Sequence, residues 1–330
     1  MKNTVALYAG KDPNIYDDNI IKLFPKSNPY NILIESLNDL GFETHTLDIF
    51  KRKNIDPKYC IFLDIQKISV NKVIDRKKTI SVVLLREADM VLKRNYEKKR
   101  HSEFTKILTW KNDLVDNKKY FYLPSAKVKL DKRLTVKRPF SRKLCCLINS
   151  NIKSNKNGEL YSERRKVINW FEEFNLEAFD LYGYGWGKKN FFLFGRNFYF
   201  PRFMMQKKPS YRGSVVEKLQ KLSEYKFTIC FENTSVINSY LDEKIFDAFL
   251  ANTIPIYWGC PNIKKLIPPN TFIDYREFKS IKNLYDHINN MSESEYMTYI
   301  DNINDFLESE SIKKYTIENW LESILKVFKV

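Results

Sequence analysis

The chain has 330 residues, with 56 Lys and Arg against 40 Asp and Glu, which gives a formal charge of +16. Its hydrophobic fraction of 43% excludes wholesale disorder, and no apolar run reaches the roughly 18 residues of a membrane span. The length predicts two domains. The first residues resemble a short strand and lack a signal-peptide cleavage pattern, so we expect a cytoplasmic protein.

The first half of the chain alternates strands with helices. Short apolar runs predict strands at 5–9, 60–63, 80–85 and 106–110, and a further strand is predicted at 42–47, after the first helix. An amphipathic pattern predicts a helix at 31–40, stopped by Gly41. This order is typical of a parallel sheet covered by helices. A polar stretch ending near Pro139 then predicts a boundary between domains at 1–138 and 139–330.

The second half repeats the alternation. Further strands are predicted at 144–149, 179–182, 225–231, 254–258 and 271–274. Helices are predicted at 162–174, at 242–250 and through the tail from Ile281, whereas 188–210 reads as a loose segment. We therefore expect an α/β protein with two Rossmann-like domains facing across a cleft. Ligands in such sheets bind at the carboxyl ends of the strands.

Several kinds of site are disfavoured by the residue inventory. The five cysteines form no C-x-x-C pair, which favours buried reduced thiols over disulfides or zinc, and the three histidines are too scattered for a metal site. The chain contains no G-x-G-x-x-G or P-loop motif, so we expect no conventional dinucleotide or P-loop site. The three glycines of 183–187 follow a strand and fit either a flexible turn or a phosphate cradle.

Positive charge is concentrated between residues 93 and 143. This stretch holds 17 Lys and Arg against 5 Asp and Glu, a net +12. It could follow an anionic polymer, a membrane face or acidic glycans, or be a solvated lysine-rich surface. No zinc finger, basic zipper or ribonucleoprotein motif occurs, so nucleic acid is not an expected partner.

The segment from Tyr225 to Leu250 reads as strand, polar loop and helix. Asp242 is a plausible helix N-cap, and Lys244 then falls in the first turn, where the helix dipole disfavours a cation. An anion bound at that helix end would account for the lysine, because free N–H groups and Lys would hold a diphosphate together. The alternative is a surface lysine without a role.

A second cation fits the same interpretation. In the predicted helix 162–174, Arg164 lies one turn before the apolar residues Val167, Ile168 and Phe171, on the same face. An arginine at the core-side edge of a helix needs an anionic partner. That partner is either a ligand or a neighbouring glutamate, Glu159 or Glu163.

The region from 225 to 278 resembles the donor-binding region of glycosyltransferase family 10, the α-1,3/1,4-fucosyltransferases. The motifs in the family's order are Y-K-F-x-x-C-F-E-N-T at 225–234, Y-L-D-E-K-I-F-D-A-F at 240–249, I-P-I-Y-W-G-C-P-N at 254–262 and P-x-x-x-F-I-D-Y-R-E-F at 268–278. Segments 147–151, 159–164 and 180–183 are similar to bacterial members. The likeness covers most of 144–278 and the N-terminal half only loosely.

The resemblance implies a GT-B fold, GDP-fucose as the donor, no metal and inversion at the anomeric carbon. Arg164 and Lys244 would hold the diphosphate, Glu243 would contact ribose or sugar hydroxyls, and Asn233 and Tyr240 would line the same pocket. Inversion needs one general base. Glu87, which follows the strand 80–85, is the residue that matches the family's proposed base.

We therefore expect an inverting fucosyltransferase with an acceptor-binding domain at 1–138 and a GDP-sugar-binding domain at 139–330. The expected acceptor is an oligosaccharide with a GlcNAc- or Glc-type sugar, in lipopolysaccharide O-antigen, and the expected linkage is α-1,3. One alternative is the same fold with another GDP-linked sugar. The other is a basic, non-catalytic module that binds polysaccharide or nucleic acid.

The last predicted helix, 316–330, carries an apolar stripe that includes Ile317, Trp320 and Ile324. Docking onto the rest of the protein is its expected use, because Glu318 and Glu322 on the other face would repel anionic lipid. Peripheral association with the inner membrane stays open, and the basic stretch could assist it.

Overall fold

The computed structural model describes residues 3–10, 28–186, 190–193, 196–199 and 208–328. The chain divides into two compact units: unit 1 comprises 1–127 and 313–330, and unit 2 comprises 128–312. Each unit contains a six-stranded parallel sheet. The predicted α/β class is therefore confirmed in both units.

Unit 1 contains the strands β1 (Thr4–Tyr8), β2 (Glu43–Thr46), β3 (Tyr59–Leu63), β4 (Ile80–Leu85), β5 (Lys106–Thr109) and β6 (Tyr120–Tyr122). Its sheet order is β2-β1-β3-β4-β5-β6, and all neighbouring strands are parallel. Its described helices are α1 (Pro29–Asp39), α2 (Leu47–Arg52), α3 (Lys98–His101) and α9 (Ile317–Leu325). The strand order reverses between β1 and β3, so ligands are expected at the carboxyl ends of these two strands.

Both faces of this sheet are covered, which explains why its central strands β3 and β4 are largely apolar. In β4, Val82 and Leu84 lie in a hydrophobic cluster that contains Trp320, whereas Val83 lies in a second cluster around Phe50. Successive side chains of a strand point to opposite faces, so the two clusters lie on opposite sides of the sheet.

The last helix completes the core of unit 1. On α9, Ile317, Trp320 and Ile324 pack in the same cluster as Leu33 and Leu37 of α1. The prediction that the apolar stripe of this helix packs onto the rest of the protein is confirmed, and the surface that it packs onto belongs to unit 1. The division into 1–138 and 139–330 therefore differs from the observed one, because residues 313–330 bury their apolar face against the sheet of unit 1 and unit 2 begins at residue 128.

Unit 2 contains the strands β7 (Lys143–Ile148), β8 (Phe179–Tyr182), β11 (Tyr211–Gly213), β12 (Tyr225–Phe231), β13 (Ile254–Trp258) and β14 (Ile273–Asp274). Their parallel order is β11-β8-β7-β12-β13-β14, with Phe227 opposite Cys145 and Ile254. The described helices of this unit are α4 (Tyr161–Phe174), α5 (Lys218–Leu222), α6 (Glu243–Leu250), α7 (Ile281–Asn290) and α8 (Glu293–Glu308). No described helix of either unit combines the length and apolar character of a membrane span.

The observed strands add two short edge strands that the sequence did not predict. Both β6 and β11 have only three residues, none of them fully buried, so each gives a shorter pattern than the strands in the middle of the sheets. Within the segment predicted to be loose, β9 (Asn190–Leu193) and β10 (Arg196–Tyr199) form an antiparallel pair. The rest of 187–207, including Gly187, lies outside the described residues.

The buried carboxylate of Asp180 joins four strands of the unit 2 sheet, β7, β8, β11 and β12. Asp180 accepts hydrogen bonds from Tyr225 Oη (2.7 Å), Lys143 Nζ (3.1 Å) and Arg212 Nε (2.6 Å), and we call these four residues the Asp180 cluster. Burial alone would raise the pKa of Asp180, but the three donors lower it below its usual value.

Some of the basic residues of 93–143 serve the fold. Arg142 donates from Nη2 to the carbonyl of Asn252 at 2.6 Å, and Lys106 donates to the carbonyl of Val327 at 2.8 Å. The cysteines are also structural, since all five are buried and unpaired, as predicted.

Candidate functional site

The loop after β12 lies at the point where the strand order of unit 2 reverses, between β7 and β12. Two backbone hydrogen bonds join this loop to the segment before α4, from Leu160 N–H to the carbonyl of Asn233 (3.2 Å) and from Ser235 N–H to the carbonyl of Gly158 (2.8 Å). The start of α4 is therefore fixed beside the carboxyl end of β12, the position where open parallel sheets bind ligands.

Arg164 reaches this loop from α4. Its side chain is only 2% exposed, and its Nη2 donates to the carbonyl of Phe231 (2.5 Å) and to Oδ1 of Asn233 (3.1 Å). The glutamates considered as partners have other bonds: Glu163 pairs with Lys166, and Glu159 accepts the N–H of Ser162.

The guanidinium of Arg164 is strongly desolvated, and its Nε has no hydrogen-bond partner among the described residues. Burial lowers its pKa, while the charges of Glu232 and Asp242 act in the opposite direction. Arginine stays protonated in proteins, so a positive charge with an unused donor is held inside the site. A buried donor without a partner is costly, and an anionic ligand would remove that cost.

Lys244 reaches the same loop from α6. Asp242 caps this helix by accepting the N–H of Glu243 at 2.9 Å, as the sequence predicted. The Nζ of Lys244 lies 3.1 Å from Oε2 of Glu232 and 3.0 Å from Oδ2 of Asp242. Burial would lower the pKa of Lys244, but these carboxylates raise it well above the usual value. The ammonium is therefore held in its charged form where the helix dipole disfavours it.

Glu232, which the sequence analysis did not select, connects the two cations. It is fully buried, and its carboxylate binds the N–H of Asp242 (3.1 Å) through Oε1 and Lys244 through Oε2. Burial raises its pKa, and Lys244 opposes that rise. Arg164 binds the residues on either side of it, Phe231 and Asn233, so both cations are held at the same three-residue stretch. Its position directly after the apolar strand β12 is the feature of the sequence that could have identified Glu232 as a site residue.

Gly259 is the second residue that sequence reasoning missed. A Cβ atom at this position would lie 2.4 Å from Cγ of Glu232 and 2.7 Å from Oη of Tyr257. Only glycine leaves room for the Glu232 side chain at the carboxyl end of β13. The glycine of the W-G-C motif thus has a packing reason connected directly to the site.

The other predicted donor-site residues lie around the start of α6. Tyr240 is 3% exposed and follows Ser239, whose N–H donates to Oδ1 of Asn262 (2.9 Å). Glu243 is more open, with a side chain that is 54% exposed and lies 3.8 Å from Nζ of Lys218. Desolvation and the adjacent Asp242 carboxylate raise the pKa of Glu243.

Glu87, the predicted base, lies in unit 1 directly after β4. Its N–H donates to Oδ1 of Asp64 at 3.2 Å, and its carbonyl accepts from Nδ2 of Asn95 at 3.2 Å. Arg86 also binds Asp64, through Nε (2.9 Å) and Nη2 (2.7 Å). The backbone at Glu87 is therefore fixed by a buried polar network at the carboxyl edge of the sheet, while its side chain is half-buried.

The structure thus brings Arg164, Asn233 and Lys244 together in unit 2, with Tyr240 and Glu243 on the adjoining helix start, and places Glu87 at the corresponding edge of unit 1. Within the described ranges, no group of three or more His, Cys, Asp or Glu side chains is arranged to hold a metal ion. Two fixed cations and a helix amino terminus form an arrangement suited to a diphosphate.

Comparison with known proteins gives a matching family and several similar proteins. Residues 139–320 match the family described as "Glycosyltransferase family 10 (fucosyltransferase) C-term". A curated relative, an α-(1,3)-fucosyltransferase of Helicobacter pylori, is 44% identical over 75 residues, which are 23% of this chain and 16% of that protein. An α-(1,4)-fucosyltransferase of Arabidopsis thaliana is 36% identical over 72 residues, 22% of this chain and 18% of that protein. The matched segments thus span less than a fifth of these two relatives.

Solved structures resemble the chain over nearly its whole length. An α1,3-fucosyltransferase structure with GDP-fucose has a TM-score of 0.54 at 17% identity, covering 99% of this chain and 90% of that one. A DNA-modifying β-glucosyltransferase has a TM-score of 0.58 at 13% identity, covering all of both chains. At this level of identity the likeness concerns the fold, and it confirms the predicted GT-B fold.

Proposed function

We propose, since the chain belongs to glycosyltransferase family 10, that it transfers fucose from GDP-fucose to a hydroxyl group of a glycan acceptor, with inversion. The observation that carries this proposal is the approach of Arg164 and Lys244 from two different helices to one loop, Phe231–Asn233. Both groups are charged and largely buried, so they supply the preorganised positive charge that a departing diphosphate needs.

In the proposed donor complex, Arg164 and Lys244 bind the diphosphate of GDP. Asn233 and Tyr240 line the same pocket, and Glu243 contacts ribose or sugar hydroxyls. When the phosphate binds, Lys244 gives up its ion pair with Asp242 and keeps the one with Glu232. Asp242 is the carboxylate that is displaced because its side chain is 27% exposed, whereas Glu232 is fully buried. Glu232 then keeps Lys244 in place while the ammonium turns one of its three donors to the ligand.

The chemical step is a displacement at the anomeric carbon. The acceptor oxygen forms a bond to C1 of fucose, the bond between C1 and the β-phosphate oxygen breaks, and GDP leaves with the electron pair. Glu87 takes the proton from the acceptor hydroxyl. The cations of unit 2 stabilise the negative charge that develops on the β-phosphate, and we propose that no metal ion is required.

We further propose an acceptor with a GlcNAc- or Glc-type sugar, as in lipopolysaccharide O-antigen, and an α-1,3 linkage. The names of the α-(1,3)-fucosyltransferase relatives support the linkage. GDP-fucose is a β-glycoside, so an α product requires inversion. A cytoplasmic site of action, peripheral on the inner membrane, would bring the enzyme to lipid-linked acceptors.

The first test is calorimetric titration with GDP. We expect Lys244→Ala to weaken GDP binding about tenfold to a hundredfold, because it removes a charge-assisted hydrogen bond. Lys282→Ala is the matched control, since Lys282 is a solvent-exposed lysine paired with Asp286 on α7. Equal GDP affinity of the two variants would contradict the proposed site.

A second test separates binding from turnover. Glu87→Gln should bind GDP like the unaltered protein and lose fucose transfer, because the amide cannot accept the proton. The anomeric coupling of the product, read by NMR, reports inversion, and a donor panel that includes GDP-mannose reports the sugar. Preference for GDP-mannose would favour the alternative donor. Unchanged function in both Lys244→Ala and Glu87→Gln would favour a non-catalytic basic module.

A further inference from the structure

Unit 1 has a cavity of its own at the edge where its strand order reverses. The cavity measures about 710 Å³ and lies at the carboxyl ends of β1, β3 and β4, where Tyr8, Gly10, Asp64, Lys67, Arg86 and Arg94 line it. This volume falls in the range of ligand sites and accommodates one or two sugar rings. The donor-site residues belong to unit 2, so none of them lines this cavity.

The charges around the cavity are unequal. Among the described residues that line it, three are cations, Lys67, Arg86 and Arg94, and one, Asp64, is a carboxylate. Asp64 already accepts Arg86 through two nitrogens, at 2.9 and 2.7 Å, and Asn95 Nδ2 at 2.8 Å. The carboxylate is therefore saturated, and a net charge of about +2 remains on Lys67 and Arg94.

Both remaining cations have donors to spare. Arg94 donates from Nε to the carbonyl of Ile65 at 2.5 Å, and its two terminal nitrogens have no partner among the described residues. Lys67 is exposed, with no hydrogen bond or ion pair to any described residue. A ligand in this cavity would thus meet positively charged donors, and none of the described residues that line it offers an open carboxylate.

The wall that carries these groups is held firmly. Asn95 Oδ1 accepts the N–H of Ile65 at 2.9 Å, and Arg100 Nη2 donates to the carbonyls of Gln66 and Ile68, both at 3.1 Å. Gln66 in turn donates to the carbonyl of Leu63 at 2.7 Å. A wall fixed by side-chain bonds loses little entropy when a ligand binds, which favours a preformed site.

We propose that this cavity binds an anionic group of the acceptor glycan, a carboxylate or a phosphate, and that the preferred acceptor is therefore acidic. The inference rests on the proposed function, because it takes the glycan to be the acceptor of the transfer. Arg86 precedes Glu87 in sequence, so an acidic group in the cavity places its neighbouring sugar near the proposed base. Arg94 and Lys67 are the residues that distinguish acidic from neutral acceptors.

The test compares three disaccharide acceptors on the full-length protein: N-acetyllactosamine, its analogue with glucuronate in place of galactose, and its analogue with galactose phosphate. The variants are Arg94→Gln, which keeps a side-chain donor for Ile65, and Lys67→Gln. Lys93→Gln is the matched control, because Lys93 is exposed and does not line the cavity. The readouts are kcat/KM for each acceptor and the acceptor Kd without donor, by NMR titration.

We expect at least one acidic acceptor to exceed the neutral one, and each cavity variant to reduce that preference about tenfold. Lys93→Gln should not reduce it, and added salt should weaken it. Preference for glucuronate or for phosphate alone would identify the anionic group. If Arg94→Gln does not fold, Lys67→Gln decides the question.

Neutral acceptors bound as tightly as acidic ones, with no change in either cavity variant, would overturn the inference. The proposed function fails separately, if the unaltered protein neither binds GDP nor turns over GDP-fucose. In that case the NMR titration still measures whether the cavity binds acidic saccharides.

Discussion

The substitution Gly259→Ala tests how the donor site is assembled, because it alters no charged group. The new Cβ would lie 2.4 Å from Cγ and 2.7 Å from Cβ of Glu232. Ordinary contact begins at 3.4 Å, so the glutamate side chain must retreat by about 1 Å. The hydrogen bond from Lys244 to Glu232 is 3.1 Å long and would not survive such a shift.

Two effects follow, and they are measured separately. Overpacking at this buried site should cost about 1–3 kcal/mol of unfolding free energy, measured by urea denaturation. Release of Lys244 from Glu232 should weaken GDP binding about tenfold to a hundredfold, which corresponds to about 1.4–2.8 kcal/mol in a calorimetric titration.

The control is Gly213→Ala. A Cβ at Gly213 meets nothing within 4 Å, but the residue has a φ of +119°, so its substitution strains the backbone without touching the site. We expect lower stability and unchanged GDP affinity for this variant. If Gly259→Ala is destabilised and still binds GDP as the unaltered protein does, Glu232 does not position Lys244 and the reasoning is refuted.

Three further predictions concern other parts of the molecule. Trp320→Ala should lower the unfolding free energy by about 3–5 kcal/mol in urea denaturation, because the indole is fully buried in the core of unit 1; a cost below about 1 kcal/mol would mean that α9 does not complete that core. Asp180→Asn should lower the unfolding free energy by only about 1–2 kcal/mol at neutral pH, because the two cations that pair with Asp180, Lys143 and Arg212, are partly exposed and screened by solvent. The folded-state pKa of Asp180 is lowered, so its charge contributes stability above about pH 4 that is lost as the pH falls; a difference between variant and unaltered protein that persists in acid would argue against this assignment. Arg164→Lys keeps the positive charge but replaces the planar guanidinium, which can donate two parallel hydrogen bonds, with an ammonium. We expect GDP binding to weaken about tenfold in calorimetry. Equal GDP affinity would show that only the charge matters.

Local sequence patterns were sufficient for the central strands of both sheets, but not for the short edge strands β6 and β11. Runs such as 80–85 and 225–231 are apolar because helices cover both faces of a parallel sheet, and the observed strands have those bounds. The N-cap at Asp242 and the buried stripe around Arg164 also follow from local rules of helix structure. Lys244 and Arg164 were selected from their positions on predicted helices and the other site residues from the family motifs, and the roles of all of them stay predictions.

The tertiary structure alone decided which residues meet. Glu232 and Gly259 lie 27 positions apart, and nothing in either local pattern reveals that the glycine makes room for the glutamate. The sequence places residues 313–330 after unit 2, but their apolar face is buried in unit 1. The physical reason is general: periodicity records which face of an element is buried, whereas the partner that buries it depends on how distant segments pack, and that information is spread over the whole chain.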